Sequence, residues 1–559
     1  MQSTMKRISY KLLAAVIAPF LTTACIEEAF PEGATQVQEQ VSNSDFALEG
    51  VVNSFQVAMM QVDQSSFYSK YGTQADFGIP AMHIMTDSML EDIAIQGSNP
   101  GYYQFYYWAY NLGMNDQSWP IGYFWEHYYS YIKIANDLIN MIAESEDMPA
   151  LEKIYLGQAY AYRAMCYLDL ARMYEFKANK YTTPKSEQVY GLTVPIVDEN
   201  ITQEKAENNP RVSREVMCEF IIGDLEKAEV LIANAPNLYS NPNLAAVYGM
   251  YARLYLEMGY WENAPEDAFA LAAEYARKAI TTSGRTPLTE EQWTDPINGF
   301  NNGAANNSWI WGLTVENDLL GNLIAFHAHL SGEALWGYSF YSYPGINKAL
   351  YDKIKDADFR KKSWLDPDTS TWTSGRYRYA GTPTTQEEFL NYAIPYHAIK
   401  FRPAQGEMED YTVGNPADCP LMRVEEMYFI EMEAVANKDL SEGIALLNTF
   451  MNTYRISDNS YDCTNLAVDF ETFTDEMLVQ KRVEFWGEGI LFYDYKRLDK
   501  GITRKYDGTN HPAIWQFNTE GRSPQWNFVI NRGEFQANAG INEETNNPDP
   551  SGLLVVPAN

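Results

Sequence analysis

Apolar residues along much of the chain recur at the spacing of an amphipathic helix, not at the alternation of a strand. One apolar stripe runs from Trp125 to Ile142, and a second helical pattern extends from Leu151 to Met173. The first stripe comprises Trp125, Tyr128, Tyr129, Ile132, Ala135, Leu138, Ile139 and Ile142. The pattern predicts two long consecutive helices, and it assigns the three aromatic residues of the stripe to the core.

Later segments have the rhythm of a tetratricopeptide repeat, in which helices pair through small residues and turn at a glycine. A helix from near Val212 to Leu231 is predicted to pair with Ala245–Tyr260, and Ala268–Ile280 follows after a turn at Gly259. A looser copy runs from Glu433 to Leu447. The sequence therefore predicts an all-α scaffold of tetratricopeptide-like helix pairs.

The repeat pattern is interrupted by a long insertion at about residues 282–415. This segment is rich in Gly, Asn, Pro and aromatic residues, which favours loops. Its clearest strand-like run is Trp309–Val315. Trp309 and Trp311 share one face of that strand, so both are predicted to lie in the core.

The N-terminus has the pattern of an export signal. Lys6, Arg7 and Lys11 precede the apolar run Leu12–Phe20, and small residues lead to Cys25. The apolar run is too short to span a bilayer. Residues 1–24 are therefore predicted to be a lipoprotein signal with acyl chains on Cys25, the alternative being an ordinary secretory signal with an incidental cysteine.

Residues 25–45 are polar and contain Pro31 and Gly33, which favours a flexible tether. Twenty such residues reach about 25 Å root-mean-square. The remaining residues, 46–559, are predicted to form the folded domain that carries the insertion. No apolar run of 18 residues follows Cys25, so membrane contact is expected through the lipid anchor only.

The net charge of the chain argues against nucleic acid as a partner. The formal net charge is −33, and removal of a signal with three basic and no acidic residues takes it to −36. Such an acidic surface repels nucleic acid.

Cys166 and Cys218 lie in helical patterns and are predicted to be small buried hydrophobes. The sequence has no GxSxG, HExxH, P-loop or dinucleotide motif, so neither a catalytic residue nor a cofactor is predicted.

Aromatic residues cluster in two places outside the helical stripes. Tyr103 and Trp108 follow a turn-rich loop, and Trp336, Tyr338 and Tyr341 lie within the long insertion. Sugars are held by stacking on Trp or Tyr and by hydrogen bonds to their hydroxyl rim. We therefore predict these five residues as glycan-binding candidates. The candidates for the polar rim are Asn317, Asp318, Asn322, Arg376 and Arg378.

Two further patterns favour structural roles. Glu426 and Glu433 are seven residues apart on one helix face, about 10 Å by helical rise, near the upper range for an inverting glycosidase. A structural ion pair with Arg423 as partner is the favoured interpretation. His327 and His329 have strand-like spacing, but no third metal ligand is identifiable, so a surface or ligand-loop role is predicted and no metal.

Four stretches in chain order resemble the SusD/RagB family of outer-membrane nutrient-binding lipoproteins. They are Ala159–Tyr174 with Gly191–Val197, Pro210–Ala228, Pro420–Asn448 and Lys481–Arg497. The turn Asp358-Phe-Arg360 also resembles a family motif with a structural role. The chain departs from the family pattern at Gln480, where Glu is common, and at Leu491, where Arg is common.

The resemblance implies a SusD-like fold, an all-α core of tetratricopeptide-like pairs with a variable ligand face. It also implies a cell-surface lipoprotein of the outer membrane that binds oligosaccharides and passes them to a SusC-like TonB-dependent transporter, without catalysis. Glu27 and Glu28 match the acidic signal that directs such lipoproteins to the surface. Peptide capture, as in the RagB branch, is the main alternative, and a lipoprotein glycosidase is the second.

Overall fold

A computed structural model describes residues 45–60, 76–96, 114–142, 145, 147–295, 297, 299–304, 306–314, 325–369, 393–551 and 553. The predicted signal, Cys25 and almost all of the predicted tether lie outside these residues.

The described part of the chain is mainly helical. Its α-helices are α1 Asp45–Met60, α2 Ile79–Ser88, α3 Trp119–Met141, α4 Ala150–Tyr174, α5 Gln203–Ala206, α6 Arg214–Leu231, α7 Leu244–Gly259, α8 Ala268–Ser283, α9 Glu290–Thr294, α10 Phe326–Leu330, α11 Ser339–Ser342, α12 Lys348–Tyr351, α13 Tyr411–Gly414, α14 Val424–Lys438, α15 Leu440–Tyr454, α16 Phe470–Glu484, α17 Leu491–Arg497 and α18 Arg532–Ala537. The strands are β1 Ile93–Ile95, β2 Trp309–Leu313, β3 Pro344–Ile346 and β4 Cys419–Arg423.

The two long helices predicted from the apolar stripes are confirmed as α3 and α4. Trp125 and Tyr128 are buried, and the half-buried Tyr129 donates its hydroxyl hydrogen to the Pro195 carbonyl at 2.7 Å. Helix α4 is buried around most of its circumference because it packs against both α3 and α6. Val216 of α6 departs from the predicted apolar pattern, since 46% of it is exposed.

Helix pairs form the scaffold, as the repeat-like pattern predicts. Helix α7 packs on α8, α14 packs on α15, and α8 contacts α14, so successive pairs stack on one another. Gly259 ends α7 where a Cβ atom would lie 2.9 Å from the Phe269 ring. The all-α, tetratricopeptide-like scaffold is confirmed.

Two short antiparallel sheets attach the insertion to this scaffold. Strand β2 pairs with β4, which leads directly into α14, and β1 pairs with β3. Trp309 and Trp311 are both fully buried, as predicted. The insertion therefore enters and leaves the scaffold through a buried strand pair.

Cys166 and Cys218 are confirmed as buried free thiols on α4 and α6. Burial, with a smaller contribution from the charges of Glu175 and Glu257, raises the pKa of the Cys218 thiol well above its usual value. Within the residues given above, none of the helices combines the length and the apolar character needed to cross a bilayer.

Glu426 and Glu433 are structural, but the predicted partner is wrong. Arg253 donates to both oxygens of Glu426 at 2.7 Å, and Arg497 donates to Glu433 at 2.7 Å. Both carboxylates are thus bound to guanidinium groups from other helices, α7 and α17. They are not a solvent-facing pair of acids of the kind that a glycosidase needs.

Arg423 bonds to a different set of carboxylates. Its Nε donates to Glu488 at 2.8 Å, and its Nη1 donates to Glu484 at 3.1 Å. Glu484 also accepts a hydrogen bond from Arg360, whose backbone N–H is capped by Asp358 at 3.0 Å. The Asp358–Arg360 turn is therefore structural, as predicted.

Candidate functional site

Two loops of the insertion meet at one face of the molecule, and we refer to residues 331–344 and 404–418 together as the aromatic face. The Leu335 N–H donates to the Met408 carbonyl at 3.1 Å, and Trp336 Nε1 donates to Asn415 Oδ1 at 3.1 Å. The Trp336 ring lies against Gly414, where a Cβ atom would overlap it. These contacts fix the two loops to each other.

The aromatic face presents tyrosine rings to solvent. Tyr341 is 47% exposed and Tyr411 is 38% exposed, whereas Trp336 is half-buried. Tyr341 lies edge-on to the Phe340 ring at 5.2 Å between centroids. Two of the predicted candidates, Trp336 and Tyr341, therefore belong to this face together with Tyr411, which was not among the predicted candidates.

Tyr338 occupies the inner side of the same loop. Its ring stacks on His329 with centroids 4.9 Å apart, and His329 stacks on Phe77 at 5.0 Å. One face of the Tyr338 ring is thus covered by protein. Tyr338 supports the loop from below and offers less surface to a ligand than Tyr341 does.

The prediction for His327 and His329 is wrong. Both lie in helix α10, not in a strand or a ligand loop, and both are buried. Burial lowers the pKa of His327 to about 3, so this imidazole is neutral at physiological pH. The described residues contain no group of three or more His, Cys, Asp and Glu side chains able to hold a metal ion.

A buried carboxyl lies beneath the aromatic face. Glu333 is fully buried, and its Oε1 is 3.6 Å from Arg402 Nη1. Burial raises its pKa to about 7, although the Arg402 charge acts in the opposite direction. The base of the loop that carries Trp336 therefore contains an acid that titrates near neutral pH.

The second loop adds an acidic turn to the aromatic face. Glu407 Oε1 accepts the backbone N–H groups of Glu409 at 2.8 Å and Asp410 at 3.1 Å. Hydrogen bonds from the side chain and the backbone of Thr412 lower the pKa of Asp410. Carboxylate oxygens are suitable acceptors for sugar hydroxyls, and this turn places them next to Tyr411 in the sequence.

Several predicted candidates lie outside the described residues, namely Tyr103, Trp108, Asn317, Asp318, Asn322, Arg376 and Arg378. Their role in ligand binding stays a prediction.

Comparison with known proteins finds similarity to one family. Residues 35–256 match the family model SusD-like_3, described as "Starch-binding associating with outer membrane". SusD-like protein P38 of Formosa agariphila is 22% identical over 413 residues, which cover 68% of this chain and 72% of that protein. The N-terminal part of the chain, residues 35–256, is therefore similar to the SusD-like family. SusD-like protein P2 of the same organism is 21% identical over 497 residues, covering 85% of this chain and 88% of that protein.

Solved structures share the fold of this chain. A SusD-like carbohydrate-binding protein from Bacteroides vulgatus superimposes with a TM-score of 0.65 at 20% identity, covering 90% of this chain and 98% of its own. Surface glycan-binding protein A from Bacteroides thetaiotaomicron, solved with laminarihexaose, gives a TM-score of 0.60 at 16% identity, covering 89% and 98%. At these identities the likeness establishes the fold.

Proposed function

We propose that this chain is a SusD-like, lipid-anchored protein of the outer-membrane surface that binds an oligosaccharide on its aromatic face. It then delivers the oligosaccharide to a partner TonB-dependent transporter and performs no chemistry itself. The observation that carries the proposal is the exposure of Tyr341 and Tyr411 on two loops that are joined through Trp336.

The chemistry of this face suits a sugar. Exposed tyrosine rings offer flat apolar surfaces for the C–H faces of a pyranose, and neighbouring carboxylates accept its hydroxyl hydrogens. The laminarihexaose complex of a protein with the same fold supports a glycan as the ligand class. The family description, with its starch binding at the outer membrane, supports the same class and location.

The proposals of a lipid anchor and of a partner transporter are based on the sequence. The N-terminal pattern that ends at Cys25, followed by Glu27 and Glu28, supports lipidation and surface exposure. A tether of about 25 Å would let the folded domain move relative to a transporter in the same membrane. Replacement of Cys25 by Ser should release the protein from the membrane fraction of its host.

Peptide capture is the second candidate, and the acidic turn favours it. Glu407, Glu409 and Asp410 are exposed or half-buried around one turn, and the described residues 325–345 and 403–418 contain no lysine or arginine. Such a face would attract basic peptides. Neutral sugars are favoured over them because the exposed side chains with the largest apolar area on this face are aromatic.

Affinity electrophoresis against neutral plant, fungal and host glycans, with a peptide-binding assay in parallel, tests the proposal. We expect at least one neutral glycan to retard the protein. If no glycan retards it and basic peptides bind, the peptide alternative replaces the glycan proposal.

A further inference from the structure

A second cleft lies away from the aromatic face, between residues 353–358 and the helices α15 and α16. Its volume is about 290 Å³. Helix α16 lines it with residues spaced i, i+3, i+4 and i+7, which share one helix face. The apolar lining consists of Ile354, Met451, Ile456, Leu466, Val479 and Val483. The cleft is a preformed cavity with an apolar floor, near the lower size limit of small-molecule sites.

Two opposite charges flank Tyr461 in this cleft. Lys355 Nζ lies 5.5 Å from the centroid of the Tyr461 ring and donates to the Ser460 carbonyl at 2.7 Å. The Tyr461 hydroxyl donates to Glu476 Oε1 at 2.6 Å, and the Gln480 amide donates to the same oxygen at 2.9 Å. Glu476 is thus held in a fixed position by two neutral donors, and Lys355 by a backbone carbonyl.

Neither Lys355 nor Glu476 takes part in a salt bridge within the part of the chain that the structure describes. The charge of Lys355 helps to lower the pKa of Asp458 and Asp462, which are exposed, and Asp358 is paired with Arg360. Asp462 Oδ1 accepts from Asn448 at 3.2 Å and from the Thr464 backbone at 2.9 Å, and Lys353 is exposed. The cleft therefore has a cation, Lys355, near the Tyr461 ring and an anion, Glu476, at the Tyr461 hydroxyl, beside an apolar lining.

We propose that this cleft binds a free apolar α-amino acid. Its ammonium group would lie on Glu476, its carboxylate on Lys355 and its side chain on the apolar floor. We take leucine, an apolar α-amino acid with nine non-hydrogen atoms, as the test ligand for this cleft of about 290 Å³. The site does not suit a sugar, because Tyr461 is buried and Lys355 lies over its ring. The inference is independent of the proposed glycan function.

Titration calorimetry of the full chain with L-leucine tests the site. We expect saturable binding to one site, weakened about tenfold or more by Glu476→Gln and by Lys355→Gln, because each change removes one charge-assisted contact. Glu471→Gln on the exposed start of α16 and Lys438→Gln on α14 make the same charge changes away from the cleft. These two controls should bind leucine as the unmodified protein does.

Leucine analogues separate a zwitterion site from a purely apolar one. 4-Methylpentanoate lacks the ammonium group and 3-methylbutylamine lacks the carboxylate, so both should bind about tenfold or more weakly than leucine. Equal binding by either analogue would overturn the assignment of its missing group. Absence of saturation up to the solubility limit of leucine, or unchanged binding in both cleft variants, would overturn the site itself. Lys355→Gln alters an exposed side chain, so its result does not depend on refolding of the core.

Discussion

The Glu484 carboxylate lies 2.7 Å from Nε and 2.9 Å from Nη2 of Arg455, and both side chains are fully buried. Arg423 and Arg360 each donate to the same carboxylate at 3.1 Å. Burial acts to raise the pKa of Glu484, but the charges of Arg455 and Arg423 outweigh it and lower the pKa below its usual range. One carboxylate thus joins α16, β4, the end of α15 and the turn that begins at Asp358.

Removal of this charge should destabilise the protein strongly. Glu484→Gln leaves three buried guanidinium groups with too little negative charge, so we expect a loss of about 3–5 kcal/mol in the free energy of unfolding. Urea denaturation at pH 7 measures it. Glu219→Gln, an exposed position on α6, is the matched control and should change stability by no more than about 0.5 kcal/mol. A loss no larger than that of the control would contradict the structural role of Glu484.

Asp87 should make stability fall as the pH rises from about 4 to about 8, between its ordinary pKa and its pKa in the folded state. Burial raises its pKa to about 8, and its Oδ2 accepts the Gly489 N–H at 3.0 Å. The folded state therefore holds a proton that the unfolded state has already lost, and stability decreases as the pH rises towards the folded-state pKa. Asp87→Asn should remove this decrease. Relative to the unmodified protein, the variant should gain about 2–3 kcal/mol between pH 6 and pH 9, measured as free energy of unfolding. Parallel pH profiles of the two proteins would rule this out.

Much of the scaffold could be predicted from the sequence because its signals are local. The apolar stripes of α3 and α4 and the small residues of α7 and α8 repeat within single helices, where periodicity is readable. The partners of Arg423 could not be predicted in this way. Glu484 and Glu488 lie more than sixty residues away, and only the packing of α16 against β4 brings them to it.

The candidate site was predictable in its residue type and only partly in its geometry. Trp336 and Tyr341 stand in an aromatic-rich run, but Tyr411 stands alone about seventy residues later and reaches the same face through the Leu335–Met408 hydrogen bond. A two-residue spacing did not distinguish strand from helix at His327 and His329, because α10 has only five residues and shows no helical period.

Gly414 should be required for the junction between the two loops. A Cβ at this position would overlap the Trp336 ring, so Gly414→Ala should displace Trp336 and cost about 1–3 kcal/mol. The melting temperature should fall, and the glycan should retard the protein less in affinity electrophoresis. Gly223→Ala is the control, because a Cβ there meets no atom within 4 Å, and a helical alanine stabilises by about 1 kcal/mol. Normal stability in the Gly414 variant would show that the contact is not close.

Tyr341 should contribute to glycan binding and not to the stability of the fold. Its ring is 47% exposed, so Tyr341→Ala removes a stacking surface while the core keeps its packing. We expect at least a tenfold loss of glycan retardation in affinity electrophoresis, by analogy with aromatic anchors at other interfaces, at an unchanged melting temperature. Trp336→Ala should lower both quantities, because Trp336 also holds Asn415. Tyr190→Ala, an exposed tyrosine far along the chain from the aromatic face, is the matched control and should bind normally. Full retardation of the Tyr341 variant would remove this residue from the binding site and leave Trp336 and Tyr411 to account for it.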